Sequence, residues 1–234
     1  MYKKEFEKRL DEIELQFSFI EYIDSIEAHK KEHILQYNKN TTFEVSRDLQ
    51  KILRSSFLLM LYNVVESTIR NCILAIYDEI HDNNVEYNSL SSQVQKIWLK
   101  HQSKVIKEKE KNIHIYLEEL INNINNNKII FEDKSFSISG NLDYNTIHKI
   151  ISNYGFYGRI NGNTNQIKYS VDKVKDERNK LAHGNKTFCQ SGEIITIREV
   201  QDIKNNIINY LKDIIQNLDN YLKNKQYITK QSSE

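Results

Sequence analysis

Apolar side chains recur every three or four positions over long stretches of this chain, with Lys, Glu, Asn and Asp between them, the period of an amphipathic helix. Phe6, Leu10, Ile13, Phe17, Ile20, Ile23 and Ile26 predict a first helix over 3–37. Asn38, Asn40 and Thr41 interrupt it, and Thr41 or Thr42 is placed to cap the next helix. That second helix, about 43–82, carries the widest stripe, from Ile52, Leu53, Phe57 and Leu61 through Val64, Val65 and Ile69 to Ile73, Ile76 and Tyr77. A stripe that broad predicts a central helix packed on more than one side. A third helix runs over about 91–123 on Val94, Ile97, Trp98, Val105, Ile113, Leu117 and Leu120, and the INNINNN run ends it.

Beyond that point the period changes. Residues 128–139, KIIFEDKSFSIS, predict a small β-hairpin around Glu132-Asp133-Lys134. A short helix over about 143–154 turns Ile147, Ile150 and Ile151 inward, and YGFYGRINGNTN, holding three of the six glycines, is a loop. Ser170 starts the helix SVDKVKDERNKLAHG, with Gly184 as its C-terminal stop. EIITI is a candidate short strand, and Thr196-Ile197-Arg198-Glu199 is a capping box for a last helix over about 197–224. The tail QYITKQSSE should fray. The expectation is an all-α fold, a bundle of long helices in a single domain over 1–234, with an insertion at about 126–168 that contains the hairpin.

Composition sharpens this picture at two points. There is no proline in 234 residues, where average usage predicts about a dozen, so nothing in the chain forbids long unbroken helices. The 33 basic and 32 acidic residues give a net charge of +1, which excludes a globally basic nucleic-acid binder and leaves only a local basic site open. No apolar run approaches the ~20 residues of a membrane span. The charged N-terminus MYKKEFEKRL lacks the apolar core of a secretory signal. Cys72 and Cys189 are too few for a disulfide framework or a zinc finger, and a cytoplasmic location is expected. The Asn-x-Thr triplets at Asn40 and Asn185 are then chance matches.

The stretch Glu177-Arg178-Asn179-Lys180-Leu181-Ala182-His183-Gly184 holds the candidate chemistry. Arginine grips phosphate bidentately and histidine transfers protons near neutral pH. On a regular helix Asn179 and His183 share a face, while Arg178 lies about 140° around from His183. The bland alternative is a helix C-terminus, with His183 suited to the negative dipole end and Arg178 paired with Glu177 or Asp176. An Arg-Asn pair, four residues between Arg and His, and Ala-His-Gly closing an internal helix together resemble the HEPN superfamily of all-α domains. The LYNVVESTIRN segment is similar to the second helix of bacterial HEPN families associated with toxins and abortive infection.

That resemblance implies a metal-independent endoribonuclease of a toxin–antitoxin or phage-defence system, with no cofactor. The 2′-hydroxyl of RNA attacks the adjacent phosphate, His183 is general acid or base, Arg178 stabilises charge on the phosphoryl oxygens, and Asn179 positions the phosphate or the imidazole. It implies a homodimer whose two motifs meet in one cleft, and it leaves room for an antitoxin or defence partner. In a HEPN subgroup paired with nucleotidyltransferase antitoxins, a tyrosine two positions after the motif His is modified. Asn185 stands there in this chain, so that control does not carry over. The alternative function is a non-catalytic HEPN module that binds RNA or nucleotide, or a helical dimerisation protein.

Other residues join the list more loosely. Glu66 and Arg70 either support the motif, or form an i,i+4 surface pair of a few tenths of a kcal/mol. Tyr157, Arg159 and Lys168, with Lys180 on the motif helix, are candidates for RNA binding. The aromatics of the same loop, Tyr154 and Phe156 among them, either stack bases or plug the end of the core. His29-x-x-Glu32-His33 matches an inverted zinc-protease spacing, but its flanks are fully charged and no third ligand is indicated. No metal site is expected.

Overall fold

A computed structural model describes residues 2–28, 34–38, 41–108, 113–126, 129, 131 and 141–229. Helices α1 (Tyr2–Ala28), α2 (Arg47–Asp82), α3 (Ser92–Glu108), α4 (Ile113–Asn125), α5 (Tyr144–Tyr154), α6 (Thr164–Ala182), α7 (Phe188–Glu193) and α8 (Ile197–Lys223) make up most of them. Strands β1 (Ile34–Asn38) and β2 (Thr41–Glu44) form an antiparallel pair, with Ile34 opposite Glu44, Leu35 opposite Phe43, and a bulge between Gln36 and Asn38.

Several boundaries differ from the sequence reading. The first helix stops at Ala28 rather than at residue 37, and the chain turns back on itself as β1 and β2. Thr41 and Thr42 therefore lie in a strand, where β-branched residues are at home. Ser46 caps α2 in their place, its Oγ accepting from Leu49 N–H at 3.2 Å. Of the hairpin expected at 128–139, Ile129 and Phe131 are described and neither is in a strand; the rest lies outside the described residues. His29 and His33 also lie outside them. EIITI is not a strand: Thr187 and Gln190 form a reciprocal capping box that opens α7, and Glu193 ends it. The motif helix begins six residues before Ser170, because the Asn163 side chain accepts from Asn165 and Gln166 N–H and caps it there.

The chain divides into two compact units, which α2 and α8 both enter. The first comprises 1–68, 140–144 and 161–212. Its core is Ile13, Phe17, Ile20 and Ile23 of α1, Phe57, Leu58, Leu61 and Val65 of α2, Val171 and Val174 of α6, and Val200, Ile203 and Ile207 of α8, all 3% exposed or less. Ions tie these helices at their rims. Lys204 Nζ lies 2.8 and 2.6 Å from the Glu14 carboxylate oxygens and 4.6 Å from the Phe17 ring centroid. Arg54 pairs with Asp24 and donates to Ile195 O at 3.2 Å. Helix α7 lies so close on α2 that a Cβ on Gly192 would sit 1.9 Å from Lys51 O, so only glycine fits there.

The second unit comprises 69–139, 145–160 and 213–234. Ile73, Ile76 and Tyr77 of α2, Val94 and Trp98 of α3, Ile147 of α5 and Leu218 and Tyr221 of α8 are buried in it, and Trp98 is core as its spacing implied. Tyr154 and Phe156 are buried as well, which settles them as plugs of this core. Tyr154 shares a hydrogen bond with the Tyr77 hydroxyl, and its carbonyl accepts from Tyr221 Oη at 2.9 Å. The tail does not fray at its start: Tyr227 is fully buried, and Ile228 bridges Leu90. Cys72 lies in the same core, where burial, with the Asp219 charge adding, pushes its thiol up to about 12 and leaves it inert. Helix α2 is long and apolar enough to cross a membrane by length and composition, and 56% of that stretch is buried within the protein. Its apolar width is that of a core helix.

Candidate functional site

The motif belongs to the first unit. Helix α6 ends in a complete Schellman closure: Gly184, at φ +68°, donates to Leu181 O at 3.1 Å, and Asn185 donates to Lys180 O at 2.8 Å. A left-handed residue is needed to turn the chain there, and glycine takes it without a Cβ penalty. His183 is the last residue before that turn, at φ −90° and ψ 3°, its N–H still donating to Asn179 O at 3.0 Å. The closure leaves the side chain of His183 exposed, and among the described residues no hydrogen bond is made to its imidazole.

Arg178, a turn and a half earlier, is half-buried and faces α2. Its Cζ lies 5.3 Å from the centroid of the Tyr62 ring, a cation–π contact. Its Nη1 donates to Asn179 Oδ1 at 3.0 Å, and Asn179 Nδ2 donates to Asn141 Oδ1 at 2.6 Å. Tyr62 is fully buried, and its hydroxyl accepts from Leu142 N–H at 3.2 Å. Burial raises the pKa of that hydroxyl; the Leu142 hydrogen bond and the Arg178 charge oppose the rise, and the half-buried Glu66 carboxylate adds to it through its charge and a hydrogen bond.

Arg178 is not paired with its acidic neighbours. Asp176 bonds Lys175 at 3.0 Å. Glu177, 0% exposed, accepts from Ser191 Oγ at 2.6 Å and from Lys180 Nζ at 3.0 Å, with Lys173 at 3.8 Å. Among the described residues no carboxylate oxygen comes within 4.0 Å of the Arg178 guanidinium. The bland reading, in which Glu177 or Asp176 neutralises it, therefore fails on geometry. Lys180 is drawn to Glu177 as a structural cation.

The structure thus groups Arg178, Asn179 and Glu66 with Tyr62 and Asn141, and leaves His183 exposed at the helix end. Lys168 is exposed on the same helix. Arg70, Tyr157 and Arg159, all exposed, belong to the second unit. There the Tyr157 hydroxyl lies 3.0 Å from Ser152 Oγ, and Arg159 O accepts from Asn217 Nδ2 at 3.2 Å. Sequence reasoning missed Tyr62 and Asn141. Tyr62 lies four positions before Glu66, one turn along the same helix, which is a legible signal. Asn141 has none, since it reaches the motif only through the fold. Among the described residues no group of three or more His, Cys, Asp or Glu side chains could hold a metal ion.

Long helices that carry Arg-Asn and His across the last turns of an internal helix define a HEPN-type domain. The match to a known family is extensive: the model of the HEPN_MAE_28990 family, described as MAE_28990-like HEPN, covers residues 2–227, and the chain belongs to that family. No curated protein and no solved structure matches it.

Proposed function

We propose that this protein is a metal-independent endoribonuclease acting in a toxin–antitoxin or phage-defence setting. HEPN domains are frequently ribonucleases, and the observation that carries the reading here is the state of Arg178. A guanidinium held by an amide and an aromatic ring, with no carboxylate oxygen within 4.0 Å among the described residues, is placed to pair with a phosphodiester. His183 lies exposed within the same motif.

In the reaction the 2′-oxygen bonds to phosphorus and the P–O5′ bond breaks, leaving a 2′,3′-cyclic phosphate and a 5′-hydroxyl. One proton leaves the 2′-hydroxyl and one reaches O5′. His183 carries this transfer as general acid or base, and Arg178 stabilises the charge that builds on the non-bridging oxygens. Asn179, whose amide bonds Arg178 and Asn141, acts by orienting the guanidinium. Tyr157, Arg159 and Lys168 contribute RNA contacts. A homodimer brings two motifs to one cleft, which suits an Arg and a His that leave α6 about 140° apart.

The deciding experiment incubates purified protein with total RNA in EDTA and maps the RNA ends. Cleavage with cyclic-phosphate ends, lost in Arg178→Ala and His183→Ala, supports the reading. RNA bound but never cut identifies a binding module instead.

A further inference from the structure

Although Arg178 lacks an ionic partner among the described residues, its guanidinium is held on two sides. The Tyr62 ring lies beneath it, 5.3 Å from Cζ, and that ring cannot swing, because it is fully buried and its hydroxyl is bonded to Leu142 N–H at the far end. At the edge, Nη1 meets Asn179 Oδ1. A side-chain amide that turns its oxygen to Arg178 must turn its nitrogen away, and Asn141 Oδ1 receives that nitrogen at 2.6 Å. The guanidinium, which can only donate, sets the Asn179 oxygen toward itself, and Asn141 ties the outward-facing nitrogen of that amide in place. Among the described residues these contacts use one of the five guanidinium N–H donors, and no other acceptor is bonded to the group.

We infer that Tyr62 and Asn141 are positioning residues that fix the plane of the Arg178 guanidinium without neutralising it. A carboxylate in either place would orient the group equally well, yet its negative charge would repel the phosphodiester. A ring face and an amide relay orient it with dipoles and a quadrupole only. This inference rests on the ribonuclease reading for its ligand, a single phosphodiester of RNA, but the geometry it asserts can be measured without RNA.

Two measurements test it. The first is the side-chain NMR spectrum of Arg178. A ring-current shift of its δ protons is expected in the wild type, kept in Tyr62→Phe and lost in Tyr62→Leu. The second is equilibrium binding of a 2′-deoxy-substituted oligoribonucleotide, which binds but cannot be cleaved. Tyr62→Leu and Asn141→Ala are each expected to weaken binding about fivefold to tenfold, with Tyr62→Phe within about twofold of the wild type. In an Arg178→Ala background both losses should vanish, because the residues act through the arginine. Asn141 is exposed, so its variant keeps the test open if Tyr62→Leu, a core change, does not fold.

The inference is overturned if these substitutions weaken binding as much without Arg178 as with it. It is equally overturned if the Arg178 resonances are the same in Tyr62→Leu as in the wild type. Failure of the nuclease reading looks different: natural RNA stays intact in the wild type, while the Arg178 spectrum still decides the cradle.

Discussion

Glu177 stands one residue before Arg178 and is wholly buried, an arrangement that tests how α6 is anchored. Its carboxylate takes a 2.6 Å hydrogen bond from Ser191 of α7 and a 3.0 Å one from Lys180. Burial alone would raise its pKa; the Ser191 and Lys180 hydrogen bonds, with the Lys180 and Lys186 charges, outweigh it and hold the group below the usual carboxylate range. Hydrogen bonds to a charged group contribute about 1.5–3 kcal/mol each. Glu177→Gln keeps an acceptor for Ser191 and loses the charge toward Lys180, whose side chain is 42% exposed and so partly screened. The expected cost is about 1–2 kcal/mol at pH 7. Urea unfolding followed by circular dichroism measures it. Because the folded-state pKa is lowered, this stability is present above the unfolded value of about 4.3 and lost as pH falls through the lowered one. The variant should therefore show a shallower acid limb. In a double-mutant cycle, Ser191→Ala should cost clearly less in the Glu177→Gln background than in the wild type. A Glu177→Gln protein as stable as the wild type, or a Ser191→Ala cost that does not change, would refute the reasoning.

Three further outcomes are expected. His101 is 7% exposed, and its Nδ1 has no partner among the described residues. Burial, then the Lys104 and Lys100 charges, lowers its pKa to about 4, so the unfolded chain takes up a proton that the folded one refuses. Stability should fall by about 2–3 kcal/mol between pH 6.5 and 4, a slope that His101→Phe removes in urea titrations. Gly192→Ala forces a Cβ against the Lys51 carbonyl and should destabilise by about 1–3 kcal/mol, read as a lower urea midpoint, since backbone cannot step aside as a flexible side chain would. Mixing Arg178→Ala with His183→Ala chains should restore part of the RNA cleavage that each lacks alone; no recovery in verified heterodimers would mean that each motif works within one chain.

The chain's hydrophobic period was enough to determine its class and its longest elements. The stripe from Phe57 to Tyr77 could bury itself only at the centre of helices, and Gly184 could only end α6, because local sterics and burial act at every step of the sequence. The motif was equally legible, since Arg178, Asn179 and His183 lie within six consecutive residues. The strand pair at 34–44, the length of α7 and the start of α6 escaped the period, because strand pairing, a capping box and an Asn cap are short and compete with it. What only the tertiary structure decided is the electrical state of the motif. Whether Arg178 faced Asp176, Glu177 or neither depended on Ser191, Lys180, Tyr62 and Asn141, which come from α7, α6, α2 and the segment just before α5. A charge is neutralised or left free by what the fold places within a few ångströms of it, and helical spacing carries no record of that.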